Sequence, residues 1–141
     1  MIHLHIFPIF SYQAKICKRT IAWKDNRSDY FFPEPPGPTP YEKLLMEIAE
    51  AGDKLVVINF GATWCGECIW INPKVKELSK ITPNVVFLDV DIDQNREAAF
   101  QYEIAAVPTF KFLKKTKVID HMIGADIEEL KKLVKKYDTG M

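Results

Sequence analysis

Length, composition and charge exclude several classes of protein. The chain has 141 residues with 19 basic and 19 acidic side chains, so its formal net charge is zero. A dedicated nucleic-acid binder would carry a basic excess to neutralise phosphates, and we therefore expect no nucleic-acid partner. Three cysteines cannot form the dense, even-numbered disulfide framework of a small secreted domain. No uncharged apolar run reaches the ~20 residues that cross a bilayer, so we expect no membrane partner.

The N-terminal part of the chain differs in composition from the rest. Six of the nine prolines lie within residues 1–40, and the run from Glu34 to Pro40 favours an extended linker, because proline lacks the amide hydrogen and fixes φ. We predict a poorly ordered extension and linker over residues 1–38, which includes the stray thiol Cys17, and a folded domain over 39–138. Residues 1–24 lack Asp and Glu, so a mitochondrial or secretory targeting segment stays open as the alternative.

The remaining chain predicts helices and strands in alternation. A capping box from Thr39 to Glu42 opens the first helix, Gly52 ends it, and Asp126 opens the last helix. Between these two helices the pattern predicts a buried strand over 54–60, a helix over 65–80 interrupted by Pro73, a second buried strand over 85–90, a short helix over 95–102 and two strands joined by a turn at 114–117. This order predicts an α/β fold, with a mixed sheet and helices on both faces.

Two cysteines lie at the predicted start of the second helix, in the run Trp64-Cys65-Gly66-Glu67-Cys68. A helix N-terminus presents unpaired N–H groups and partial positive charge, which stabilise a thiolate on Cys65. The spacing brings the two sulfurs near enough to close a disulfide. Cys65 would attack a substrate disulfide from the outer position, and Cys68 would then displace the substrate and leave the pair oxidised.

Metal binding and a purely structural role are the alternatives for these cysteines. A structural zinc site needs four ligands, often from two Cys-x-x-Cys pairs, and this chain has one pair with Cys17 and the histidines scattered. We therefore expect no metal. Asp89, Asp91 and Asp93 lack the glycine and terminal glutamate of an EF-hand calcium loop, and we interpret them as a polar face and a turn.

Several segments resemble, in the same order, those of the thioredoxin family. They are the run from Phe60 to Cys68 with Pro73 beyond it, and the runs 51–57, 90–95, 107–110 and 124–126. The likeness covers roughly residues 39–138. It implies a thioredoxin-like α/β fold, with a central mixed sheet flanked by helices on both faces.

The resemblance also implies an activity, a protein-disulfide reductase that exchanges thiols and disulfides through Cys65 and Cys68. It implies no bound cofactor beyond the redox-active disulfide, with electrons drawn from NADPH through thioredoxin reductase. Disulfide-containing proteins would be the substrates. We expect a cytoplasmic monomer.

The family's pattern assigns roles to further residues. Cys65 would be the nucleophile and Cys68 the resolving cysteine. Pro108 would follow a cis peptide bond and pack against Cys65, while the backbone of Val107 would pair with an extended substrate. Trp64 would lie over the cysteines. The expected substrate-binding residues are Trp64, Gly66, Glu67, Val107 and Gly124.

Two departures from the family's motif bear on rate and redox equilibrium. Glu67 replaces the usual proline, and its carboxylate favours the helix N-terminus but opposes a thiolate on Cys65, which predicts a weaker reductant. Asn59 occupies the position of the buried aspartate beneath the resolving cysteine. A carboxamide cannot accept a proton at neutral pH, which predicts slow resolution by Cys68 unless water takes over the role.

A third departure concerns the first strand, which the proline-rich run at 35–38 cannot form. The strand is either absent or supplied by residues 19–23 or 30–32, and its absence would leave the strand over 85–90 with an open edge. The reduced activity that Glu67 and Asn59 predict leaves an alternative function, an interaction module with weak or no catalytic turnover.

Overall fold

The computed structural model describes residues 35–138. The predicted targeting segment, Cys17 and both candidate positions for the first strand lie outside the described residues.

Four helices and four strands make up the described part of the chain, in the predicted order. The helices are α1 (Pro40–Glu50), α2 (Gly66–Ile81), α3 (Arg96–Gln101) and α4 (Ile127–Tyr137). The strands are β1 (Leu55–Gly61), β2 (Val85–Asp91), β3 (Thr109–Lys114) and β4 (Lys117–Ile123). None of the helices described here is long and apolar enough to cross a membrane.

The strands form one mixed sheet in the order β2-β1-β3-β4. β1 pairs parallel to β2 and antiparallel to β3, and β3 pairs antiparallel to β4. The register places Asn59 of β1 directly beside Asp89 of β2. The predicted mixed sheet is confirmed, and the carboxyl end of β1 leads directly to the cysteine pair.

The two faces of the sheet pack against different helices. Leu55 and Val57 of β1 pack with residues of α2 and α4, while Val56 and Ile58 pack with residues of α1 and α3. Successive side chains of a strand point to opposite faces, so β1 supplies both cores at once. This explains why every residue of β1 before Gly61 is buried.

The predicted helix and turn signals are present. The side chain of Thr39 accepts the N–H of Glu42, and the side chain of Glu42 accepts the N–H of Thr39, which confirms the capping box. Asp126 accepts two backbone N–H groups at the start of α4. Lys115 and Thr116 both have positive φ and form the two-residue turn of the predicted hairpin.

The sequence-based prediction for two elements was wrong. α2 continues through Pro73 without the predicted interruption, because Ile71 and Val75 on either side of the proline hold the helix against the sheet. β2 is less buried than predicted: Val85 and Val90 are buried, but Asp89 is exposed. Among the described residues β2 is an outer strand and pairs with a neighbour along one edge only.

Candidate active site

The first cysteine forms the junction between β1 and α2. Cys65 is the N-cap of α2, so the helix begins one residue later than predicted, at Gly66. The backbone N–H of Cys68 donates to Sγ of Cys65 across 3.2 Å. This donor and the positive end of the helix dipole both favour negative charge on that sulfur.

Cys65 and Cys68 form a disulfide with their Cα atoms 5.3 Å apart. Cys65 retains 7% of its accessible surface and Cys68 only 1%, so the first sulfur lies nearer the solvent. Gly61 lies directly beside the inner sulfur, since a Cβ built there would be in van der Waals contact with Sγ of Cys68 at 3.4 Å. Cys65 is therefore the sulfur that an incoming disulfide can approach.

The loop before β3, which contains Val107 and Pro108, packs against the disulfide. The Val107–Pro108 peptide bond is cis, as the resemblance implied, and the carbonyl oxygen of Val107 lies 3.7 Å from Sγ of Cys65. The backbone N–H of Gly124 donates to the carbonyl of Pro108 across 2.9 Å. Gly124 has φ +101°, a conformation that favours glycine, and its missing Cβ leaves open space beside the loop.

An aromatic side chain is exposed next to the disulfide. Trp64 is 66% exposed, and its indole N–H donates to Oδ2 of Asp93 across 2.8 Å, which fixes the ring. Gly66 and Glu67 are exposed in the first turn of α2. Trp70, another exposed ring on this helix, has the ammonium of Lys74 3.5 Å from its centroid. These residues border the disulfide with a partly apolar surface.

Three polar side chains lie together at the inner end of the site, where the buried Asn59 meets the exposed Asn72 and Asp89. Asn59 is 5% exposed, and its Nδ2 donates to Oδ1 of Asn72 at 3.0 Å and to Oδ1 of Asp89 at 3.1 Å. We call Asn59, Asn72 and Asp89 the inner polar cluster. Its three residues come from β1, α2 and β2, and together with Gly61 they line an open cleft.

Comparison with known proteins identifies the family. The thioredoxin family model matches residues 40–136. This chain belongs to the thioredoxin family. It is 48% identical to a thioredoxin of Geodia cydonium over 90 residues, which cover 63% of this chain and 85% of the relative. It is 46% identical to the thioredoxin of Equus caballus over 85 residues, which cover 60% of this chain and 81% of the relative.

Solved thioredoxin structures have the same fold. Fasciola hepatica thioredoxin superposes with a TM-score of 0.66 at 42% identity, over 67% of this chain and 90% of that one. The thioredoxin NaTrxh of Nicotiana alata gives a TM-score of 0.68 at 27% identity, over 75% and 99% of the two chains. Together with the Cys65–Cys68 disulfide, the family makes this chain a thiol-disulfide oxidoreductase that reduces protein disulfides.

Sequence reasoning missed three residues of this site. Asp93 was interpreted as part of a turn, yet it holds the indole of Trp64. Asn72 and Asp89 were not connected with Asn59 at all. A signal existed for Asn72, since it follows Cys68 by four residues and so lies on the same helix face. No three His, Cys, Asp or Glu side chains within residues 35–138 cluster in a way that could hold a metal ion.

Proposed function

We propose that Cys65 is the nucleophile and Cys68 the resolving cysteine of this protein. The observation that carries the assignment is the hydrogen bond from the Cys68 N–H to Sγ of Cys65 at the N-cap of α2. A thiolate on Cys65 would still accept the hydrogen bond from the Cys68 N–H. Cys68 itself lies inside α2 and is only 1% exposed. The first sulfur therefore meets the substrate, and the second can reach only the first.

The reaction then takes two exchange steps. The Cys65 thiolate attacks one sulfur of a substrate disulfide, forms a mixed disulfide and releases the other substrate sulfur as a thiolate. Cys68, after loss of its proton, attacks Sγ of Cys65 and breaks the mixed disulfide. The substrate gains two electrons and two protons as it leaves as a dithiol, and the enzyme retains the Cys65–Cys68 disulfide.

The surface around the disulfide supports a role in binding extended substrate backbone. The carbonyl of Val107 lies beside Cys65, and Gly124 leaves open space on the far side of the Pro108 loop. A substrate segment that pairs with Val107 would place its disulfide over Cys65. The exposed ring of Trp64 and the first turn of α2, with Gly66 and Glu67, would contact the substrate side chains.

The source of electrons and the compartment are also part of the proposal. Electrons would reach the disulfide from NADPH through thioredoxin reductase, with no cofactor resident on this chain. A cytoplasmic location suits a dithiol that must be kept reduced. Residues 39–138 would act as a monomeric catalytic domain and residues 1–38 as a separate extension. Mass spectrometry of the mature N-terminus from the native source would test whether residues 1–24 are removed as a mitochondrial or secretory signal.

Reduction of insulin disulfides by the full-length chain, with thioredoxin reductase and NADPH, tests the catalytic assignment. We expect turnover in the wild type and none in Cys65→Ser. Cys68→Ser should accumulate a mixed disulfide with the substrate, while Cys17→Ser serves as the matched control and should retain full activity. A wild type without turnover, or a Cys65→Ser variant that retains it, would contradict the assignment.

A further inference from the structure

The side chain of Asn59 is only partly satisfied. Its Nδ2 has two acceptors, in Asn72 and Asp89, but its Oδ1 is buried and accepts no hydrogen bond from the described residues. A buried polar atom without a hydrogen-bond partner destabilises the folded state. Asp89 fixes the orientation of this amide, because an ionised carboxylate only accepts hydrogen bonds and must face the Nδ2 of Asn59.

Asn59 lies on the face of β1 that packs against the helix of the resolving cysteine. Asn59 and Gly61 point to the same face of β1, and a Cβ on Gly61 would be 3.4 Å from Sγ of Cys68. Asn72 lies one helical turn beyond Cys68, on the same face of α2. Cys68 therefore lies beside Gly61, which lines the same cleft as the three residues of the inner polar cluster.

The inner polar cluster contains one group that can take up a proton. Asn59 and Asn72 carry neutral amides, whereas Asp89 carries a carboxylate. Asp89 is exposed, so a proton received there can pass on to solvent. Asn59, Gly61 and Asp89 all line an open cleft of about 410 Å³, which is roomy and polar enough for water.

We propose that Asp89 is the proton acceptor for the Cys68 thiol, acting through a water molecule that Asn59 holds in this cleft. The inference rests on the proposed two-step exchange and concerns its second step. The water donates one hydrogen to Oδ1 of Asn59 and the other to the carboxylate of Asp89, and it accepts the hydrogen of the thiol. Asn59 is then a positioning residue, and its unsatisfied oxygen gains the partner it lacks.

The proton and electron balance of the step is complete. The Cys68 proton passes to the water, which passes a proton to Asp89, and Asp89 returns it to solvent. The Cys68 sulfur attacks Sγ of Cys65, and the Cys65–substrate bond breaks. The substrate sulfur leaves with the electron pair of that bond and takes a proton from solvent. The enzyme pair is oxidised and the substrate reduced by the same two electrons.

The charged groups around Asp89 are few within the described residues. Lys76 of α2 lines a neighbouring cleft with Asp89, and Asp91 of β2 lines the cleft shared with Asn59. β1 faces Asp89 with the neutral Asn59. Asp91 supplies a matched control, because its Oδ1 accepts the N–H of Asp93 and an asparagine there retains that acceptor.

Asp89→Asn is the decisive variant, because an asparagine at this exposed position still accepts from Nδ2 of Asn59 but cannot accept a proton. The full-length chain in a Cys17→Ser background, pre-reduced, is mixed with a fluorogenic peptide disulfide in single-turnover experiments. Mixed-disulfide formation is timed in a Cys68→Ser background, and final thiol release is timed with Cys68 present. Both are measured from about pH 6 to pH 9, the range in which a general base changes the rate profile.

We expect Asp89→Asn to slow thiol release about tenfold or more near pH 7, with the deficit shrinking as pH rises, while mixed-disulfide formation is unchanged. Adding Asn59→Asp to Asp89→Asn should restore release, because a carboxylate then lies next to Cys68. Asp91→Asn should match the wild type. Equal release in Asp89→Asn and wild type, or an equal loss in Asp91→Asn, overturns the inference. A wild type without Cys65-dependent release refutes the proposed function instead.

Discussion

The two sides of the disulfide are built in different ways. On the outer side, backbone groups shape the site: the Cys68 N–H, the Val107 carbonyl and the Gly124 N–H. On the inner side, the side chains of the inner polar cluster meet, and one of their oxygens is unsatisfied. The resemblance to the thioredoxin family predicted these outer residues as parts of the family's pattern. The inner side departs from it at Asn59.

This difference separates the two steps of the reaction. The outer side binds the substrate and activates Cys65, so its geometry determines how fast the mixed disulfide forms. The inner side handles the proton of Cys68, so its chemistry determines how fast the mixed disulfide resolves. Variants on the two sides should therefore change different steps, and this expectation can be tested.

Gly124→Ala should have the largest effect on the outer side. A side chain at φ +101° costs about 1–2 kcal/mol, and the strain would fall on the N–H that holds the Pro108 carbonyl. We expect lower stability in chemical denaturation and slower insulin reduction. Gly52→Ala is the control, since Gly52 also has positive φ, at +60°, but ends α1. It should lose comparable stability and no activity. Equal rates in the two variants would argue against the substrate role of Gly124.

Asn59→Asp, on the inner side, should raise the rate of insulin reduction rather than lower it. A carboxylate beneath Cys68 accepts its proton directly, so turnover near neutral pH should rise, by up to about tenfold. The new carboxylate would lie beside that of Asp89, and repulsion between the two negative charges would reduce the gain in rate. Steady-state insulin reduction measures the change. Rates identical to the wild type would refute the assignment of Asn59 to the position of the family's buried aspartate.

Glu67→Pro should shift the redox equilibrium more than the rate of either step. Removal of the carboxylate from the first turn of α2 removes a charge that opposes the Cys65 thiolate. We expect a more reducing disulfide, by about tenfold in the equilibrium constant or ~30 mV. Equilibration against a glutathione buffer measures it. An unchanged or more oxidising proline variant would show that Glu67 does not weaken this protein as a reductant.

Asp120→Asn should have the smallest effect, because it lies outside both sides of the site. The Tyr137 hydroxyl donates to Asp120 across 2.7 Å, and this bond, followed by the bond from the His121 N–H, lowers the pKa of the carboxyl. Because the pKa is lower in the folded state, the stabilisation is present above the usual carboxyl range and is lost as pH falls through the folded value.

We expect Asp120→Asn to cost about 1 kcal/mol or less at pH 7, since the residue is only partly buried and solvent screens its charge. The difference from the wild type should shrink below about pH 4, where the wild-type carboxyl is itself protonated. Urea unfolding at several pH values measures it, with insulin reduction unchanged throughout. A difference that stays constant into acid would mean that the charge of Asp120 contributes nothing.

Most of the fold and the outer side of the site could be predicted from local sequence. The capping box at Thr39 and the Cys-x-x-Cys pair are signals over four residues, where local hydrogen bonds dominate. The interruption at Pro73 was predicted wrongly because packing on both sides of the proline outweighs one lost helical bond. The exposure of Asp89 could not be predicted either, because it depends on the position of β2 in the sheet.

The sequence by itself determined the thioredoxin fold, the redox pair and the placement of Cys65 at a helix N-terminus. These features depend on residues close together in the chain, whose spacing restricts their geometry. Only the tertiary structure decided that Asp93 fixes Trp64, and that Asn59 lies between Asn72 and Asp89. Those contacts join residues 13 to 30 positions apart, and both the strand register that sets Asn59 beside Asp89 and the docking of α2 depend on the packing of the whole sheet.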